Sequence, residues 1–388
     1  MSRLRGWHVP LVLGVLFFCA VWAINGLASS IMNNDVIVAD AWLHGRAWVI
    51  EAGPWLDAMP LHGHFWVVEA PFPAVLMLPL VAVQGVAANQ TLVDAIVAAI
   101  GVGVCYRLAR RITGSGVAAL AVTVFAAFGT SYFSCAADGS VWFFAHINAV
   151  TFTLLAVDEL LGKQRGWLIG IWAAAAGLSR YPLLPVAALY VLWLLLEKRY
   201  RSAAMCALVG LLFAIPWAVY NEARWGTVLD PGFTIWYHVM DPRAKSGLPP
   251  FSPAYLQMQL NAFFQRPAHV IRRFPWITPP LLGFSLTWMS FALVGIVATL
   301  PHLRDRRVAA LWFAMLVAAV PSFLYYDTGG VELGMRHALD FEPFAFALLA
   351  FALRTRVRVP LEVLLFANAV FGIDLAVIWF RAQSIITP

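Results

Sequence analysis

PFPAVLMLPLVAVQGVA, residues 71–87, is the stretch on which the topology of this chain turns. If it crosses a membrane, every later segment inverts. Lysine and arginine decide the matter, because they are retained on the cytoplasmic side of short loops. With 71–87 not crossing, 16 of the 26 basic residues fall inside and 10 outside; with it crossing, the split becomes 11 and 15. The first arrangement is favoured, the more so because six of those ten lie in one long loop, where the bias weakens. Pro71, Pro73 and Pro79 also argue against a straight spanning helix. The stretch is therefore expected to be a juxtamembrane or re-entrant helix shielded by protein.

The rest of the chain makes this a membrane question. Of 388 residues, 62% are hydrophobic and 12% charged, against roughly 25% charged in an ordinary soluble domain. Mean hydropathy is +0.78. A soluble chain could not hide so much apolar surface, so disorder, a coiled coil and a nucleic-acid module are excluded. The net charge of +6 reads as positive charge held at one membrane face. Cys19, Cys105, Cys135 and Cys206 are scattered without metal-ligand or disulfide spacing and read as small buried apolar residues.

Apolar runs predict an all-α polytopic membrane protein of about eleven transmembrane helices. The runs are 9–31, 90–109, 116–134, 141–160, 167–179, 182–196, 203–219, 283–300, 308–325, 341–353 and 359–379. Each need only approach ~20 residues to cross ~30 Å of hydrocarbon. The first reads as an uncleaved signal-anchor with its N-terminus inside, which leaves the C-terminus outside. Clusters such as Arg107/Arg110/Arg111, Lys198/Arg199/Arg201 and Arg354/Arg356/Arg358 fall at every second boundary. Residues 1–388 form a single integral membrane domain, with 32–89 a first outer loop carrying juxtamembrane helices and 221–282 a second long outer loop.

Ionisable residues outside the basic clusters gather at the outer face. Asp35 follows the first span directly; it could cap the helix VIVADAWLHGRAWV, or, partly desolvated, serve as a general base. Asp57 and Glu69 share its loop. Arg side chains near that face, Arg180, Arg336 and the Arg243/Lys245 pair, suit a phosphate. His62-Gly63-His64 has no helical metal spacing and reads as a packed loop. His146 and Asn148 read as interhelical hydrogen-bonding groups. Asp94 and Asp374 lie in spans near their outer ends. Most of the 17 tryptophans form an interfacial belt, with Trp55, Trp66, Trp225 and Trp236 placed to stack on a sugar.

Several stretches, in order, resemble the bacterial GT-C glycosyltransferases, in particular the protein mannosyltransferase/aminoarabinose transferase-like group. These are Asp35 with Leu43-His44-Gly45-Arg46, then Glu69-Ala70-Pro71-Phe72-Pro73, Ser179-Arg180-Tyr181-Pro182, Tyr220-Asn221-Glu222-Ala223-Arg224-Trp225-Gly226 and Gly334-Met335-Arg336-His337-Ala338-Leu339-Asp340. The resemblance implies a membrane glycosyltransferase that moves a sugar from a polyprenyl-phosphate donor to an acceptor hydroxyl. It would act with inversion at the outer face of a bacterial cytoplasmic (inner) membrane. It implies Asp35 as base, Asp57 and Glu69 as second carboxylates, and Arg180, Arg243, Lys245 and Arg336 at the donor phosphate. Trp66, His337 and Asp340 are the candidates for sugar or acceptor contacts. The chain departs from the pattern at Glu69-Ala70-Pro71, where a Pro-Pro or Lys-Pro-Pro is common. No cofactor is expected beyond the lipid-linked donor, and no metal, since loop 1 has no DxD cluster. The acceptor is a glycan, lipid or protein. The competing readings are a lipid or solute transporter or flippase without covalent chemistry, which predicts inverted repeats and mid-membrane charges, and a non-catalytic scaffold.

Overall fold

The computed structural model describes residues 8–51, 56–229, 232–241, 247–272, 276–278, 280 and 282–386. The chain enters as helix α1 (His8–Asn25) and continues through a short helix α2 (Asn34–Leu43). A two-stranded hairpin follows, β1 (Ala58–Leu61) and β2 (His64–Val67), with Met59 opposite Trp66. His62 and Gly63 both have positive φ, 52° and 77°, the twist a two-residue hairpin turn needs. The His-Gly-His stretch is thus a turn and the start of a strand. This hairpin, and a second ribbon of β3 (His269–Val270) and β4 (Ile277–Thr278), are the departures from an all-helical chain.

Residues 71–87 form α3 (Phe72–Gln84) and one 3-10 turn, Gly85–Ala87. Helix α3 holds Pro79 inside it and packs on α2: Val36 and Ala39 meet Met77 and Val81 of α3 and Ala88 just beyond it.

Next come α4 (Gln90–Thr113), α5 (Gly116–Phe128), α6 (Tyr132–Asp138) and α7 (Val141–Leu160). Helix α4 starts where Asn89 Oδ1 accepts from Leu92 N at 3.0 Å and stops at Gly114. Arg110 and Arg111 sit in its last turn, at the negative end of the helix dipole. Helices α1 and α4 approach through small residues. A Cβ on Gly14 would lie 2.7 Å from Ala99 O, and one on Gly103 2.9 Å from Pro10 O. The expected span 116–134 is broken, α5 and α6 meeting at 49°.

The chain goes on as α8 (Gly166–Gly177), a 3-10 turn Tyr181–Leu183, α9 (Leu184–Leu196) and α10 (Tyr200–Trp225). Helix α10 runs six residues beyond the expected span and takes in Tyr220 to Trp225. Short helices α11 (Phe233–Met240) and α12 (Leu256–Leu260) occupy the second long loop. The expected span 283–300 is instead α13 (Leu286–Met289) and a 3-10 segment, Phe291–His302. The break at Ser290 is closed from outside. Asn368 accepts from Ala292 N at 2.9 Å and donates to Met289 O at 2.8 Å. Helices α14 (Arg306–Leu324), α15 (Glu342–Ala352) and α16 (Arg358–Ile386), the last carrying Asn368, complete the bundle.

Among the described residues six helices are long and apolar enough to cross a membrane, or seven if α5 and α6 count as one span. Every residue of α15 is buried, as befits a helix that is apolar all round. Helix α10 lies at the periphery, with Leu208, Leu211, Leu212, Ile215 and Val219 exposed. The basic clusters meet at one end of the bundle. There Arg107 and Arg111 pair with Asp158 at 2.5 and 2.9 Å, and Arg358 donates to Ser115 Oγ at 2.6 Å.

Candidate active site

The opposite end holds the buried acids. Asp35 lies in the first turn of α2, where the N-cap residue is Asn33 and no side chain caps the helix. The capping role open to Asp35 is therefore not used. Its side chain is buried and Oδ2 has no partner. Burial pushes its carboxyl well above the usual range. Asn34 donates to Glu69 Oε1 at 3.1 Å, and Glu69 Oε2 is unpartnered. Burial pushes Glu69 up as well, helped by the hydrogen-bonded carboxyl of Asp57 and by the charge of Asp35. Asp57 accepts from Trp142 Nε1 at 2.7 Å. Asp94, in the second turn of α4, is buried with both oxygens unpartnered.

Loop 1 is held in place by α10. The guanidinium of Arg224, 1% exposed, donates to Val67 O at 2.9 Å, Glu69 O at 3.4 Å and Asn221 Oδ1 at 2.8 Å. It lies over the Tyr220 ring at 4.1 Å. Because α10 is extended by two turns, this cation reaches the carbonyls on either side of Val68.

The first turns of α7 join the acids to a second cluster. Trp142 and His146 are four residues apart and so share a face. Trp142 holds Asp57; the Arg336 guanidinium lies 5.9 Å from the Trp142 ring and 5.4 Å from that of Phe143. Arg336 pairs with buried Glu332 at 2.9 Å. Burial pushes Glu332 up to about 7 against the pull of Arg336. Asp340 is fully buried. It accepts from Arg180 Nε at 3.0 Å and Nη2 at 2.9 Å, and His146 Nδ1 lies 3.2 Å away. Burial alone would raise its carboxyl; Arg180 and His146 overcome that and hold it well below the usual range. His337 Nδ1 faces Arg180 Nη2 at 3.3 Å. Burial, then Arg336 and Arg180, depress its imidazole well below the usual value, which keeps it neutral. The Arg180 contact makes Nδ1 the acceptor and places the proton on Nε2.

A half-exposed aromatic wall adjoins this cluster. Phe233 lies 5.8 Å from Tyr181 and 6.1 Å from Tyr325, Phe251 lies 5.2 Å from Tyr325, and Tyr325 lies 6.2 Å from His337.

The fold thus brings Asp35, Asp57 and Glu69 together, groups Arg180, His337 and Asp340, and sets Arg336 between the two groups. Trp66 lies elsewhere. It is 5% exposed, donates to Leu61 O at 3.0 Å and packs on Trp48 and Trp225 in the hairpin core. Arg243 and Lys245 lie outside the described residues. Trp142 and the buried contacts of Arg224 escaped the sequence reading, and Asn34, readable there as a helix cap beside Asp35, bonds Glu69 instead. The Trp142/His146 spacing at the start of a span was the signal that could have found the first.

No protein-family model matches the chain, and no curated protein matches it. Solved structures do. The archaeal oligosaccharyltransferase AglB from Archaeoglobus fulgidus, in complex with an inhibitory peptide and a dolichol-phosphate, superposes with a TM-score of 0.53 at 15% identity, over 97% of this chain and 56% of that one. The same oligosaccharyltransferase tethered to an acceptor peptide gives 0.53 at 15% over 96% and 55%. ArnT from Cupriavidus metallidurans, bound to undecaprenyl phosphate, gives 0.49 at 14% over 88% and 59%. The chain shares the fold of the archaeal oligosaccharyltransferase over nearly its whole length. The chain spans a little over half the length of each of these proteins.

Proposed function

We propose that the protein is a membrane glycosyltransferase that moves a sugar from a polyprenyl-phosphate donor to an acceptor hydroxyl, with inversion. The observation that carries this is the carboxylate cluster of buried Asp35 with half-buried Asp57 and Glu69, set beside the Arg180/Arg336 cluster at the end of the bundle opposite its basic clusters. On this reading Asp35 removes the acceptor proton. The acceptor oxygen forms a bond to the anomeric carbon from the face opposite the lipid phosphate, and the bond to the phosphate oxygen breaks. Burial raises the proton affinity of the Asp35 carboxylate, the direction a general base needs. Phosphate leaves as an anion and needs charge stabilisation more than protonation. Arg180 keeps Nη1 outside its pairing with Asp340 and is the first choice for that contact, with Arg336, Arg243 and Lys245 as further cations. His337 and Asp340 then orient Arg180. The aromatic wall from Tyr181 to Phe251 suits the prenyl chain.

The reading counts eleven crossings: the seven long spans, plus α8, α9, the Phe291–His302 segment and α15, with α3 lying along the membrane boundary. With positive charge inside, the site on this reading faces outward, and the resemblance to the bacterial enzymes makes the membrane a bacterial cytoplasmic one. Asp35→Asn tests the assignment. In a folded variant, transfer from a lipid-phosphate sugar should fall by about a hundredfold or more. Transfer at the wild-type rate removes Asp35 from the mechanism.

A further inference from the structure

A cavity of about 410 Å³ opens at the basic end of the bundle, far from the acids. Its mouth is formed by Gln164 after α7, Trp193 and Glu197 at the end of α9, and Asp305, Arg306 and Arg307 at the start of α14. Below it a narrower apolar seam continues between α9 and α14, past Leu189, Leu311 and Ala314. From Arg306 to Ala314 that is about 12 Å of helix.

The charges at the mouth are selective in what they leave over. Arg307 is occupied by Asp305, with Nε–Oδ1 at 3.2 Å and Nη2–Oδ2 at 3.1 Å. Gln164 Oε1 is occupied by Arg199 Nε at 3.1 Å. That leaves the cation of Arg306 and the anion of Glu197, both exposed. Trp193 borders both the cavity and the seam. Its indole N–H is buried and has no acceptor in the protein. The matching occupant carries one phosphate, one ammonium, an acceptor oxygen and an apolar chain.

We propose that this cavity binds an aminophospholipid of the phosphoethanolamine type. The phosphate lies on Arg306 and the primary ammonium on Glu197, and a phosphate or ester oxygen takes the Trp193 N–H. An acyl chain lies along the seam. Two lining acids balancing two lining arginines argue for a zwitterion rather than an anionic lipid. The site is independent of the transfer reaction and uses none of its residues.

The test is native mass spectrometry of the full chain, released from vesicles of phosphatidylcholine containing equal small fractions of phosphatidylethanolamine and phosphatidylglycerol. Wild-type protein should retain one phosphatidylethanolamine with roughly tenfold preference over each other lipid, the worth of one well-made charge-assisted contact. Glu197→Gln should remove the preference for ethanolamine over choline. Arg306→Gln should weaken retention of every phospholipid at the site. Ala310→Trp, on the seam wall, should block it. The two charge changes are on exposed side chains and leave the core intact. Equal retention of the three lipids overturns the proposal, as does preference for phosphatidylglycerol, or an ethanolamine preference that survives Glu197→Gln.

Discussion

Asp340→Asn is the sharpest test of how the second cluster is held together. The carboxylate has no exposure, and takes two hydrogen bonds from Arg180 at 3.0 and 2.9 Å with His146 at 3.2 Å. The amide keeps the shape but removes the charge and points an N–H₂ toward a donor. Arg180 retains 19% exposure in its side chain, too little to regain its hydration. Removing one partner of a buried pair costs about 3–5 kcal/mol; the residual exposure of Arg180 puts Asp340→Asn near the lower end, about 3 kcal/mol. Arg180→Gln strands an anion with no exposure at all and should cost more. The double variant should fall short of the sum of the two by about 1–3 kcal/mol. The assay is reversible unfolding in mixed micelles of rising SDS fraction, followed by far-UV circular dichroism. Because Asp340 is held below the usual range, its contribution is complete above the unfolded-state pKa of about 3.9 and is lost as pH falls further. The loss on substitution should therefore be flat from about pH 6 to pH 8. Single variants as stable as wild type, or a strictly additive double, would refute the argument.

Glu332 should behave in the opposite sense. With its carboxyl raised to about 7, the folded state holds a proton that the unfolded state has lost, so its contribution fades as pH rises from the ordinary carboxylate range through 7. Glu332→Gln should gain stability relative to wild type over that window, and a difference that stays constant with pH would count against it. Arg224→Met leaves the carbonyls of Val67 and Glu69 without their donor, a loss of roughly 2 kcal/mol. Hydrogen exchange should quicken from Trp66 to Ala70, and unchanged protection there would show that the guanidinium does not hold loop 1. Gly103→Val drives a side chain toward Pro10 O and should loosen α1 from α4 at a cost of about 1–3 kcal/mol; a disulfide-crosslinking rate between those helices unaffected by the change would contradict the close approach.

The long spans and the early acids were readable because both rest on patterns local to the sequence. Apolar length sets α4, α7 and α14, and the lysine and arginine balance, with the prolines, kept 71–87 from being counted as a crossing; it forms a short helix with Pro79 inside it. What was not readable depends on partners far along the chain. The break at Ser290 needs Asn368, 78 residues later, and no local propensity announces it. Trp66 looked like a free aromatic face because hairpin pairing with Met59 and packing on Trp225 are tertiary facts. Arg180 and Asp340 were both picked out singly, but their pairing is a contact between residues 160 positions apart. Arg224 was assigned to a loop because polar residues at the end of an apolar run ordinarily mark the membrane boundary, and here the helix carries on past it.

That extra length of α10 has a mechanical side. Twenty-six residues make a rod of about 39 Å, longer than the ~30 Å hydrocarbon layer it would cross. One flank of the rod is bare toward lipid, and its tip grips the backbone at Glu69. A thicker bilayer lets such a rod stand upright and a thinner one makes it lean. Any lean of α10 is passed to the loop backbone at Val67 and Glu69 through the Arg224 guanidinium.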